Sequence, residues 1–291
     1  MARLRRIVAE LQGRGIEEVA ISGFTEPSYD KGLTEKVAAL RAAGLKVRIY
    51  SNASNLRPAL ADELLALGVE GFVINLSTLD EEEYLAVRGT KDLKRVRPNL
   101  DYLVSRSAAA AQVSIVVIGA LDERHADNLR AIDAAYGARA RVTIMPMLEF
   151  AAEGYQIYAD KPRLERLQGC LWQRHTDWLH VNADGNAILC CRDYDARYVI
   201  GNTDAQDLDA LLGSERLRQW QRWVDGVEEA PADFICRTCF AASRPDYLAF
   251  LQSFYCSRCV LPAAFGQAGA CGRCSDVGDA IAYLRARDEE A

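Results

Sequence analysis

Residues 19–27 read Val-Ala-Ile-Ser-Gly-Phe-Thr-Glu-Pro, an apolar run followed directly by a small and polar segment. The apolar part predicts a short β-strand that ends at Ser22-Gly23. Apolar residues recur at helical spacing on both sides of it, which predicts one helix before the strand and another after it. These residues are Leu4, Ile7, Val8 and Leu11 before the strand and Leu33, Val37 and Leu40 after it.

The same alternation of apolar strand and amphipathic helix continues through the first half of the chain. Four more apolar runs predict strands at residues 47–50, 72–74, 113–118 and 142–145. Strands that are apolar throughout are typical of a parallel sheet covered by helices. The first half therefore predicts an α/β fold, and both a doubly wound sheet and a full or partial barrel fit the pattern.

Small and polar residues follow several of the predicted strands. They are the segment 23–27, then Ser51-Asn52, Asn75, Ser77 and Gly119. In either arrangement of a parallel sheet, ligands bind at the carboxyl ends of the strands. These residues can therefore contact a ligand there, or they can serve only as helix caps and loop starters.

The composition limits the classes of function. Half of the 291 residues are apolar and 26% are charged, a balance typical of a globular chain with a buried core. The formal net charge of −6 argues against unspecific nucleic-acid binding, because nothing offsets the repulsion from phosphates. No apolar run approaches the roughly 18 residues of a membrane span, and the basic N-terminus lacks the apolar stretch of a signal peptide. We therefore expect a cytoplasmic protein that binds neither nucleic acid nor a membrane.

All nine cysteines lie at position 170 or later. Their odd number, their clustering and the lack of an export signal argue against a disulfide-stapled protein and favour metal binding or redox chemistry. The distribution also separates a first half without thiols from a cysteine-rich second half. We predict domains at residues 1–150, 165–245 and 250–291.

A first group of cysteines can supply four thiolates to one metal centre. It consists of Cys170, Cys190 and the Cys236-x-x-Cys239 pair. A predicted hairpin with an Asp184-Gly185 turn leads to Cys190, and a predicted helical region over residues 208–224 precedes the pair. Because successive strand residues face opposite sides, Cys191 is expected to point away from the metal as a small buried hydrophobe.

A second group is formed by Cys256-x-x-Cys259 and Cys271-x-x-Cys274, with eleven residues between the pairs. Two such pairs close together have the spacing of a zinc knuckle. A second iron–sulfur cluster fits the same spacing, and we favour zinc over it.

The strand-end motifs resemble those of the radical S-adenosylmethionine (radical SAM) superfamily. Residues 22–27 resemble its GGEP-type motif, with Phe24-Thr25 in the middle as a departure. Ser51-Asn52 resembles the Thr-Asn found after the next strand, and residues 83–89 resemble a stretch common later in the family. The family pattern implies that the segment after the first of these strands binds the amino group of the methionyl moiety of SAM.

The second half resembles the SPASM or twitch domain that follows the barrel in part of this superfamily. Cys170 and Gly185-x4-Cys190, followed by Ile200-Gly201-Asn202, match its opening pattern. A full SPASM pattern would place another cysteine a few residues after Cys239, and the sequence around Pro245 has none. The resemblance therefore implies the shorter twitch type, with one auxiliary [4Fe–4S] cluster. Its ligands would be Cys170, Cys190, Cys236 and Cys239.

The resemblance covers roughly residues 1–245 and implies both a fold and an activity. The fold would be a partial (β/α) barrel of parallel strands that lacks its first strand, plus a small cysteine-rich C-terminal domain. The activity would be that of an oxidoreductase or modifying enzyme acting on a peptide or small molecule, with an electron donor such as a flavodoxin or ferredoxin. SAM would lie in a barrel mouth lined by Gly23, Glu26, Ser51, Asn52, Ser77 and Ser114. No side chain is assigned a catalytic role.

One departure from the family bears on that activity. The radical cluster needs a CxxxCxxC loop after the first strand, and no cysteine precedes Cys170. Either the chain is a shortened product of a longer gene, or it is a degenerate relative: a non-enzymatic iron–sulfur or zinc protein that acts as a binding or electron-transfer partner. The first explanation is favoured because loss of a strand would leave residues 19–21 on an unpaired sheet edge, which is a liability. The chain as written is expected to bind SAM weakly or not at all.

Overall fold

The computed structural model of the protein describes residues 1–23, 25–107, 111–119, 122–146, 164–170, 172–239 and 241–242. These residues fall into two units, one formed by residues 1–146 and the other by the described residues from 164 onward. The second group of predicted metal ligands lies outside the described residues. These ligands are Cys256, Cys259, Cys271 and Cys274.

Five parallel strands form the sheet of the first unit. They are β1 (Glu18–Ile21), β2 (Lys46–Ser51), β3 (Gly71–Asn75), β4 (Gln112–Gly119) and β5 (Arg141–Pro146). The strands lie side by side in chain order, and each pair is parallel. All five carboxyl ends therefore meet at one edge. The predicted α/β architecture with a parallel, partly barrel-like sheet is confirmed.

Helices alternate with these strands as the apolar spacing predicts. They are α1 (Ala2–Leu11), α2 (Leu33–Ala42), α3 (Pro58–Ala66), α4 (Glu81–Arg88), α5 (Leu93–Ser107) and α6 (Glu123–Tyr136). Local signals set their ends. The Asp80 side chain caps α4 by accepting from the backbone N–H of Glu83, and Gly89 ends α4 with a φ of 69°. Asp122 caps α6 in the same way.

The core lies between the sheet and its helices. Ile49, Phe72 and Ile74 of the strands are at most 1% exposed, and so are the helix residues Leu64 and Leu100. Burial of one such side chain contributes about 1.5–3 kcal/mol. Three consecutive residues of β4, Ile115 to Val117, are buried, which matches its continuous apolar run, whereas burial along β2 alternates.

β1 is an edge strand of this sheet, because β2 is its only neighbour among the described strands. Ala20 is exposed and Ile21 is half-buried, in contrast to the fully buried core residues of β2. Glu18 of β1 accepts two hydrogen bonds from the Arg48 guanidinium of β2, at 2.9 and 3.0 Å. This exposed ion pair joins the edge strand β1 to its neighbour β2.

The second unit contains a three-stranded antiparallel sheet. Its strands are β6 (His180–Val181), β7 (Asn186–Ile188) and β8 (Val199–Asn202). The predicted hairpin is confirmed, and Gly185 adopts a φ of 84° in its turn. The Asn182 side chain accepts hydrogen bonds from the backbone N–H groups of Asp184 and Asn186, each at 3.0 Å.

Two helices follow where the sequence predicts a single helical region over residues 208–224. They are α7 (Leu208–Leu212) and α8 (Glu215–Val224). The break falls at Gly213, and Ser214 begins the second helix because its hydroxyl accepts from the N–H of Leu217 at 3.3 Å. A one-turn 3-10 helix, Ile235–Thr238, closes the unit. No helix in the described part of the chain is long and apolar enough to cross a membrane.

Candidate functional site

The carboxylate of Glu26 joins the ends of β1 and β2. Its Oε1 accepts hydrogen bonds from the Ser28 N–H at 3.1 Å, the Ser28 hydroxyl at 2.6 Å and the Ser51 hydroxyl at 2.6 Å. Its Oε2 accepts from the backbone N–H of Asn52 at 2.6 Å. The structure therefore brings three predicted site residues, Glu26, Ser51 and Asn52, into direct contact.

The number of donors around Glu26 indicates what this side chain does. Three hydrogen bonds reach Oε1 and one reaches Oε2, so the side chain fixes the loop after β1, while Oε2 keeps one acceptor site for a further donor. Gly23, just before that loop, is exposed and has a φ of 147°. A backbone of this kind at a strand end can approach a ligand closely, because no side chain intervenes.

A buried amide holds the loop after β2. Ala53 has a φ of 60°, which is uncommon for a residue with a side chain, and it is fully buried. The Asn99 side chain of α5 donates to the Ala53 carbonyl at 2.8 Å, and the Ser51 hydroxyl accepts from the Ala53 N–H at 2.9 Å. Sequence reasoning missed Asn99. The available signal was a polar residue on the apolar face of α5, next to Leu100 and three residues after Val96.

A polar network forms at the end of β3. Arg88 of α4 donates to the backbone oxygen of Asn75 at 3.2 Å and also contacts the Asn75 side-chain oxygen. Ser77 is buried near this strand end, and the next residue, Thr78, is fully buried. The Thr78 hydroxyl lies 2.8 Å from Glu83 Oε2. Glu83 begins the stretch 83–89 that resembles the superfamily, so this contact joins that stretch to the carboxyl edge of the sheet.

Ser114 is the third residue of β4 and pairs in register with Val73 and Arg141. Val73 in turn pairs with Tyr50 of β2, so the register places Ser114 one residue before the level of Ser51. β4 continues for five more residues to Gly119. The assignment of Ser114 to the SAM-binding residues stays a prediction.

The four thiols of the first cysteine group lie close together in the second unit. Cys239 is within electrostatic range of Cys170, Cys190 and Cys236, and all four are free thiols. Burial raises the pKa of the Cys170 and Cys236 thiols. A hydrogen bond with Cys191, together with burial, raises the pKa of Cys190.

The donor set consists of four grouped thiols. Four thiolates bind a zinc ion tetrahedrally, with zinc–sulfur bonds of about 2.3 Å, or hold the four irons of a [4Fe–4S] cluster. The residues present therefore fit an iron–sulfur cluster as well as a zinc ion.

Cys191 differs from the sequence expectation. β7 ends at Ile188, so Cys190 and Cys191 lie in the following turn and the alternation of strand residues does not apply to them. The two thiols are hydrogen-bonded to each other. Instead of packing among apolar side chains, Cys191 contacts the Arg174 guanidinium. That guanidinium also stacks over the Trp172 ring, 4.8 Å from its centroid.

A buried arginine shapes the loop between the last two thiols of this group. Arg237 is 6% exposed and donates to the backbone oxygens of Pro231 at 2.8 Å, Leu164 at 3.0 Å and Glu165 at 2.6 Å. It also contacts the Ala230 carbonyl. Sequence reasoning passed over this residue, although an arginine inside a Cys-x-x-Cys pair was visible.

Two protein families match the chain. The pattern of the radical SAM superfamily matches residues 1–133, and that of the SPASM iron–sulfur cluster-binding domain matches residues 170–240. No curated protein sequence matches.

Solved structures share the fold at low sequence identity. Native anSMEcpe with bound AdoMet and a Cp18Cys peptide is 12% identical with a TM-score of 0.59, and the match covers 91% of this chain and 90% of that one. SuiB of Streptococcus suis is 14% identical with a TM-score of 0.60, over 82% of this chain. The match spans 64% of the SuiB chain.

Proposed function

Since the chain belongs to the radical SAM superfamily and carries a SPASM iron–sulfur domain, we propose that it works in a radical SAM modifying enzyme. The observation that carries the proposal is the grouping of Cys170, Cys190 and Cys236 around Cys239. These thiols would hold one auxiliary [4Fe–4S] cluster. When bound beside a reduced radical cluster, SAM supplies the radical chemistry, and the protein positions the reactants.

The carboxyl edge of the parallel sheet would hold SAM. Glu26 keeps the loop after β1 in place against Ser51 and Asn52, and Gly23 leaves the backbone open to a ligand. Ser77, which follows the end of β3, would line the same mouth. These groups supply hydrogen bonds only, so SAM is expected to bind weakly without the radical cluster as a metal anchor.

We propose a peptide as the first substrate class to test. The support is the peptide bound in the structure of anSMEcpe, a protein of the same fold. A small molecule is the alternative substrate class. The reaction would be an oxidation or modification of the substrate, and a flavodoxin or ferredoxin would supply the electron that reduces the radical cluster. The free thiols of the proposed cluster fit a reducing cytoplasm.

A second candidate function is favoured by the position of the cysteines. All nine lie at residue 170 or later, so these 291 residues hold no CxxxCxxC set for a radical cluster. On that ground the chain could act as an iron–sulfur protein that binds a partner or transfers electrons without cleaving SAM.

One pair of assays separates the two candidates. The chain as written and the chain extended by any in-frame upstream CxxxCxxC segment are purified anaerobically. Each is titrated with SAM by calorimetry, and 5′-deoxyadenosine is quantified by chromatography after dithionite is added. The enzyme proposal predicts SAM binding and 5′-deoxyadenosine from the extended chain only. A stop codon upstream, or an extended chain that does neither, supports the electron-transfer candidate. Strong cleavage by the chain as written would overturn the assignment of the thiols to an auxiliary cluster.

A further inference from the structure

Arg174 lies among the thiols of the proposed auxiliary cluster. It follows Cys170 by four residues, in the turn that leads away from that ligand. The guanidinium interacts electrostatically with Cys170, Cys190, Cys191 and Cys239. Its side chain is half-buried, and its Nε is shielded from solvent with no hydrogen-bond acceptor within the described part of the chain.

The guanidinium contacts the Cys191 thiol, but its Nε–H needs an acceptor that the described residues do not supply. A shielded N–H without an acceptor is costly, because it has lost water without gaining a partner. A [4Fe–4S] cluster with four thiolate ligands carries a net negative charge, and its sulfurs accept hydrogen bonds. The cluster would therefore supply the acceptor that the Nε of Arg174 lacks, together with negative charge close to the guanidinium.

A stacked aromatic ring restricts where the guanidinium can move. The Arg174 Cζ lies 4.8 Å from the centroid of the Trp172 ring, and the Arg192 Cζ lies 5.5 Å from the same centroid. Stacking on an aromatic ring limits the rotation of a planar guanidinium and adds a favourable cation–π contact. Arg174 is therefore held in place before any cluster is bound.

We propose that Arg174 is a positioning residue of the auxiliary cluster, in which its Nε donates a hydrogen bond to a cluster sulfur and its charge offsets the charge of the thiolates. This inference rests on the proposed function, because it requires the cluster on the four cysteines. Hydrogen bonds to sulfur and nearby positive charge both stabilise the reduced, more negative state, so they raise the reduction potential. Arg174 would thus make the cluster easier to reduce.

The test is the midpoint potential of the cluster, measured by a redox titration followed by electron paramagnetic resonance. We compare the wild type with Arg174→Gln, which removes the charge, and with Arg174→Lys, which keeps the charge but loses the planar fork. Arg197→Gln is the matched control, because Arg197 is exposed and pairs with Asp233 at 3.3 Å in the same unit. Iron and sulfide are counted in every sample.

We expect Arg174→Gln to shift the potential to more negative values, Arg174→Lys to shift it less in the same direction, and Arg197→Gln to leave it unchanged. Potentials equal to that of the wild type in both Arg174 variants overturn the inference and leave the proposed function standing. If Arg174→Gln assembles no cluster, the potential of Arg174→Lys decides: a negative shift supports the inference and no shift overturns it. A wild type without iron and sulfide overturns the proposed function itself.

Discussion

The His125 ring occupies the space that a side chain on Gly119 would need. A Cβ added to Gly119 would lie 2.5 Å from Cγ of His125, well inside van der Waals contact. His125 is 2% exposed, and its Nε2 lies 3.0 Å from the Val117 carbonyl oxygen. The end of β4 and the start of α6 therefore pack closely because residue 119 has no side chain. This contact lies at the carboxyl edge of the sheet, where a ligand would bind.

This contact predicts that Gly119→Ala destabilises the protein. The methyl group forces the buried ring or the strand to move, and overpacking of this kind costs about 1–3 kcal/mol. Urea unfolding of the first unit measures the change. Ala134→Ser is the control, because Ala134 is exposed on α6 and a surface change of that kind alters stability by about 0.5 kcal/mol or less. Equal unfolding midpoints for the two variants would contradict the prediction.

The burial of His125 predicts a pH dependence of stability. Burial lowers the pKa of His125 below the usual value of about 6.5. The unfolded chain therefore takes up a proton at this residue before the folded chain does, and the free energy of unfolding falls as the pH drops below about 6.5. Unfolding midpoints between pH 7.5 and 5.5 measure the slope. We expect a flatter slope in His125→Gln, and slopes that coincide would reject the assignment.

The donors around Glu26 predict a cost for a nearly isosteric change. Glu26→Gln places an amide N–H₂ where the carboxylate accepts from Ser51 or Asn52, so a buried donor loses its partner. We expect a loss of about 1–3 kcal/mol in the free energy of unfolding. The control is Glu17→Gln. Glu17 is exposed, and its ion pair with Lys46 is long, at 3.5 Å, so its loss is expected to change stability little. A Glu26→Gln variant as stable as this control would show that the four hydrogen bonds do not hold the loop.

The grouping of thiols predicts which cysteines are needed for a cluster. Anaerobically purified protein is expected to be brown and to hold about four irons and four sulfides at this site. Replacement of Cys236 or Cys239 by alanine should remove the colour, whereas Cys191→Ala should leave it largely intact. The ligand assignment would be wrong if Cys191→Ala removed the colour and Cys190→Ala did not.

The sequence predicted the parallel sheet because every strand is a distinct apolar run between amphipathic helices. It also placed Glu26, Ser51 and Asn52 in one mouth, and the structure brings them into contact because the carboxyl ends of neighbouring parallel strands meet at one edge. Ser114 lies near the start of the apolar run of β4, level with Tyr50 of β2, and its place among the SAM-binding residues stays a prediction. The turn after Ile188 and the helix break at Gly213 depend on local hydrogen bonds that residue spacing does not show.

The remaining residues escaped prediction for a different reason. Asn99, Arg174 and Arg237 act on partners that are 46, 17 and 73 positions away in the chain. A local pattern marks such a residue only as a polar side chain in an unusual place. Its role can be recognised only in the folded structure, where the distant backbone group or thiol contacts it.

The buried guanidinium of Arg237 has a consequence for how the proposed cluster would be installed. It holds the Cys236–Cys239 loop through carbonyl groups of two separate segments, and none of these bonds involves a metal. In zinc fingers, by contrast, the chain is unfolded until the metal binds. We therefore expect the second unit to reach its shape before a cluster is bound, so that iron delivery would follow folding. A chain damaged by oxygen could then be reloaded without refolding.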